Sequence, residues 1–139
     1  MQGHVSSWLE LTDSTQVRDV HAVVDAIMKL VTRDNDFEFL NLTANEKKGH
    51  ITRYEAIYWD NHPPDYPKLL RRVSRRLWPG EWLLFEEKRS MTFCYDCSTL
   101  RSMLVSKNEV RVLNGEQLGR VMRRELASVG DLEVTVQEP

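Results

Sequence analysis

Residues 66–77 have one regular way to fold. Leu69, Leu70, Val73 and Leu77 fall on one side of an α-helix, Pro67 sits in a first turn that needs no N–H from it, and Pro79-Gly80 stops the run. The same stretch holds Lys68, Arg71, Arg72, Arg75 and Arg76 with no acid among them. Positions 68, 72, 75 and 76 share the side turned away from Leu69, Val73 and Leu77, so the cations are presented together. A helix with a single apolar side must bury it against a second layer, and that layer has to come from elsewhere in the chain.

Two further helices and a set of short strands supply it. Val17, Val20, Val24, Ile27 and Val31 recur at helical steps and predict a helix over residues 14–32, with Asp13 and Gln16 at capping-box spacing. Leu118, Val121, Met122, Leu126 and Val129 predict another over 116–128, entered through Asn114 and Gln117 and stopped at Gly130. β-like runs occupy 37–43 and 50–59, joined by a polar loop, then 81–87 and 91–95 with Lys88-Arg89-Ser90 as their turn, then 110–113 and 132–136. Residues 98–106 fit either state and are read as a short helix on Leu100, Met103 and Leu104; residues 1–12 are read as a flexible N-terminal segment. The expectation is one α+β domain spanning 1–139, a mostly antiparallel sheet of about five to six strands with three main helices. The final β-α-β leaves room for one parallel pair.

Composition narrows the function classes. A hydrophobic share of 41% against 29% charged residues gives enough apolar area to offset chain ordering, and 139 residues suit one core. The net charge of −2 creates no overall field toward nucleic acid or an anionic membrane, so any nucleic-acid contact falls to a local patch. No window approaches the roughly 20 apolar residues of a spanning helix, and no basic-then-apolar leader opens the chain. Cys94 and Cys97 are too few for a disulfide framework. A cytoplasmic protein without membrane contact is expected, and the sequon Asn41-Leu42-Thr43 is then without consequence.

Three local patterns bear on chemistry. Cys94-Tyr95-Asp96-Cys97 resembles the thioredoxin active site in its spacing, which implies a reactive thiolate; that family carries a small residue and a proline between its cysteines, and Tyr95 and Asp96 depart from this. The same pair could form half of a zinc site, yet His4, His21, His50 and His62 are scattered, and two structural cysteines are the expectation. Pro64-Asp65 followed by Glu86-Glu87-Lys88 is similar to the PD then D/E-x-K pattern of a nuclease family. The resemblance implies that Asp65 and Glu86 hold magnesium while Lys88 positions water, although a helix intrudes where that family has a hairpin. His62 near Asp60 has no nucleophile at a recognisable spacing, and no Gly-rich phosphate loop occurs.

These patterns favour a non-enzymatic protein-binding domain that needs no cofactor, an adaptor, inhibitor or immunity-type factor of a bacterial or phage setting. Its binding residues are expected to be Lys68, Arg71, Arg72, Arg75, Arg76 and Trp78, with another protein as partner. The alternative is a nucleic-acid-binding protein using the same basic helix, or the nuclease-like set above.

Overall fold

Residues 5–12, part of the N-terminal segment read above as flexible, lie in the middle of the sheet. The computed structural model describes residues 5–30, 37–45, 48–58, 65–91 and 97–125. Among them β1 (Val5–Ser14) lies between β3 (His50–Tyr58) and β4 (Trp82–Met91) and pairs antiparallel with both. Its alternation explains the placement: Leu9 and Leu11 face the core, while Trp8 and Glu10 face the other way. A bulge between Leu11 and Asp13 re-aims the strand end.

The sheet has six antiparallel strands in the order β2-β3-β1-β4-β5-β6, with β2 at Phe37–Asn45, β5 at Cys97–Ser106 and β6 at Glu109–Leu113. Helices α1 (Val20–Met28) and α2 (Tyr66–Ser74) follow β1 and β3. Each helix therefore connects two parallel strands with a third inserted between them, the split βαβ arrangement of ferredoxin-like folds. Strands β5 and β6 extend it as a meander, and α3 (Gly115–Met122) closes the described chain. The α+β expectation holds, with the sheet at the upper end of the expected strand number.

Both faces of the sheet are covered in part. Helices α1 and α2 pack through Val20, Val23, Ile27, Tyr66, Leu70 and Val73 onto Leu9, Leu11, Leu83, Phe85, Met103 and Val105. On the reverse face Val121 and Leu118 of α3 cover Trp82, Leu84, Leu104 and Leu113. Burying side chains of this size stabilises by roughly 1.5–3 kcal/mol each, which makes the first layer the main source of stability.

Several boundaries differ from the sequence reading. Residues 98–106 lie in strand β5, because Met103 and Val105 meet one face while Ser102 and Leu104 meet the other. Lys88-Arg89-Ser90 continue β4 without a turn, paired across to β1 and β5. Helix α1 starts six residues later than expected, since Ser14 still belongs to β1 and Asp19, not Asp13, caps the helix by accepting from the Ala22 N–H. Val17 is buried from the connecting loop, whose N–H donates to the Gly49 carbonyl at 2.7 Å. Helices α2 and α3 end earlier than expected, at Ser74 and Met122, while the Asn114–Gln117 capping box forms as read. The run at 132–136 lies outside the described residues. Among those described, no helix is long and apolar enough to cross a membrane.

Candidate functional site: the basic crest of α2

Helix α2 begins at Asp65, whose carboxylate accepts the Lys68 N–H at 3.3 Å, with Pro67 in the first turn. Tyr66, Leu70, Val73 and Leu77 are buried, so helical geometry turns the remaining positions outward. Lys68, Arg71, Arg72, Arg75 and Arg76 are all exposed, as the spacing predicts. Arg71 and Arg72 stand in the last turn and Arg75 is the C-cap, where cations complement the negative end of the helix dipole. Among the described residues none of the five side chains forms an ion pair, whereas the cations of the other elements largely do.

Two hollows flank the crest and share Arg75. One, of about 340 Å³, lies between the helices and is lined by Asp25, Ala26 and Lys29 of the α1 side and by Arg72, Arg75 and Arg76. Asp25 is paired there with Lys29 at 2.9 Å. The other, of about 300 Å³, is lined by Arg71, Ser74, Arg75, Asn108, Glu109 and Val110. Asn108, at φ 58°, donates its N–H to the Ser74 carbonyl at 3.2 Å and so holds the β5–β6 turn against the end of α2. Both hollows are arginine-rich, and each carries one carboxylate at its margin.

Trp78 follows the crest and is 47% exposed. A residue that the sequence reading did not single out fixes it. Glu81, itself buried, accepts the Trp78 N–H at 2.8 Å and the Arg18 N–H at 2.7 Å, and returns its own N–H to the Trp78 carbonyl at 3.0 Å. The Arg18 guanidinium then lies 4.8 Å from the Trp78 ring centroid. An aromatic ring and a cation thus stand beside the arginines on a braced backbone. The Trp-Pro-Gly-Glu string is the signal that could have located the clamp; nothing in the local sequence points to Arg18.

The other candidates are distributed differently. Glu86 and Lys88 do share a face, with Lys88 Nζ 2.9 Å from Glu10 and 3.7 Å from Glu86, and Glu10 also accepts from the Trp8 indole at 3.0 Å. That is the face opposite Phe85, whereas Asp65 caps a helix packed on the Phe85 face. The sheet therefore separates Asp65 from Glu86 and Lys88, and the nuclease-like set is not assembled. Glu87 points to the helix side and is paired with Arg101 at 2.5 Å. Cys94 lies outside the described residues, and Cys97 opens β5 opposite Ser90. Among the described residues no three His, Cys, Asp or Glu side chains are grouped to hold a metal ion.

The α3 cations do not enlarge the crest, because α3 packs on the reverse face. Arg124 lies over the Trp82 ring at 4.6 Å and donates to Asp13 at 2.8 Å. Arg123 donates to Glu125 at 2.7 Å, and this hydrogen bond holds the Glu125 carboxyl below the usual carboxylate range. No family model matches the chain, and comparison with the curated proteins finds no match.

Proposed function

We propose that this domain is a protein-binding module that docks an acidic surface of a partner protein onto the crest of α2. The observation that carries the reading is the set of five exposed cations without an ion pair among the described residues, on a chain whose net charge is negative. Such a set costs the free protein self-repulsion that an acidic partner relieves, and it speeds encounter with that partner. Trp78 and the arginines are residue types that dominate binding energy when covered. The negative net charge of the chain favours a protein partner over a nucleic-acid backbone, which a domain of this sign repels everywhere outside the crest. An adaptor or inhibitor role fits a surface of this kind.

The test compares affinity capture by the wild-type protein with capture by Arg72→Glu/Arg75→Glu, alongside DNA and RNA binding at low salt. The expected result is a set of acidic partner proteins lost by at least tenfold in the variant, with no nucleic-acid binding. Affinity for DNA or RNA that falls steeply with salt and disappears in the variant would transfer the crest to nucleic acid. Equal capture by the two proteins would remove the crest from function altogether.

A further inference from the structure

The hollow between α1 and α2 is richer in charge than a docking carboxylate requires. Arg72 in the last turn of α2, Arg75 at its C-cap and Arg76 just beyond line one wall, and Lys29 and Asp25 on the other wall neutralise each other. Among the described residues the three arginines that line this concave site are therefore left without a counter-charge. A guanidinium gives two parallel N–H groups to an oxyanion, and one carboxylate, with two oxygens and a single charge, satisfies one such fork. A phosphate monoester has three terminal oxygens and about −1.5 to −2 charge at neutral pH, which matches three forks. The volume, about 340 Å³, lies at the small end of ligand sites and admits a phosphorylated side chain.

We infer that the α1–α2 hollow seats a phosphorylated side chain of the partner protein, held by Arg72, Arg75 and Arg76. The inference rests on the docking role proposed above and adds regulation to it: phosphorylation of the partner sets whether it binds. Asp25 lines the same hollow but is paired with Lys29 at 2.9 Å.

The test uses the whole protein and four probes: a short Gly-Ala peptide carrying one phosphoserine, its serine and glutamate counterparts, and inorganic phosphate. Binding is followed by NMR titration at fixed ionic strength for wild type, Arg72→Gln/Arg76→Gln and a control, Lys107→Gln, at an exposed position in the β5–β6 turn. The phosphoserine peptide is expected to bind at least tenfold tighter than the glutamate peptide and tighter than inorganic phosphate. That affinity is expected to fall at least tenfold in Arg72→Gln/Arg76→Gln and to stay unchanged in Lys107→Gln, with unfolding midpoints unaltered. A glutamate peptide that binds within threefold of the phosphopeptide, and is lost with the arginines, overturns the inference and leaves the docking reading standing. Inorganic phosphate binding as tightly as the phosphopeptide overturns the partner as the source. Peptide affinities indifferent to the arginines overturn the inference and the docking reading together.

Discussion

Glu81 concentrates several jobs in one carboxylate. It is buried, it accepts two backbone N–H groups from segments 60 residues apart in sequence, and through them it sets the relation of Arg18 to Trp78. Charge-assisted hydrogen bonds of this kind contribute about 1.5–3 kcal/mol, and a buried donor left without its acceptor adds a desolvation cost. Glu81→Gln turns one acceptor into a donor facing an N–H. It is expected to lower stability by about 2 kcal/mol in urea unfolding and to weaken partner binding through Trp78. A loss under 0.5 kcal/mol with unchanged binding would mean that the clamp is incidental.

Helices and strands were legible to different degrees, and the reasons are physical. Helix α2 was readable because its stripe and its stops lie within twelve residues of one another, and charged side chains turn outward whatever the tertiary context. Strand β1 was not, since only Leu9 and Leu11 mark its inner face and both of its partners are distant in sequence. Residues 98–106 carried both periodicities, and only the pairing of Met103 with Phe85 across the sheet separates them. The five cations were visible in the sequence, but the hollow was not, because Asp25 and Lys29 reach it only through the packing of α1 on α2.

The loop before α1 also depends on a distant element. Gly49, at φ +69°, accepts the Val17 N–H, and a Cβ there would stand 2.6 Å from the Val17 carbonyl oxygen. Gly80, at φ +87°, has open space around it. Gly49→Ala is therefore expected to destabilise by about 3 kcal/mol or more, and Gly80→Ala by about 1–2 kcal/mol, the cost of the left-handed conformation alone. Thermal unfolding of the two variants measures the difference; equal losses would show that the strap between the loop and the β2–β3 turn adds nothing.

At the scale of the whole molecule, the chain is acidic in sum and basic in one place. Among the described residues the other cations are largely used within the fold, as in the pairs of Arg101 with Glu87, Arg124 with Asp13 and Lys88 with Glu10. Those of α2 are left outward on the helix that the split βαβ topology places over one half of the sheet, while α3 covers part of the opposite face. Screening at physiological salt reduces exposed interactions beyond about 8 Å, so docking at the crest should depend on contact and weaken as salt rises.

The most direct measurement places a photo-crosslinking side chain at position 79, exposed beside the crest, and in a second protein at Met122, exposed on the far side of the sheet. Irradiation in cells is expected to give protein adducts at position 79, their crosslinked peptides rich in acidic or phosphorylated residues, and only background at position 122. Adducts confined to position 122, or nucleic acid recovered at position 79, would contradict the account.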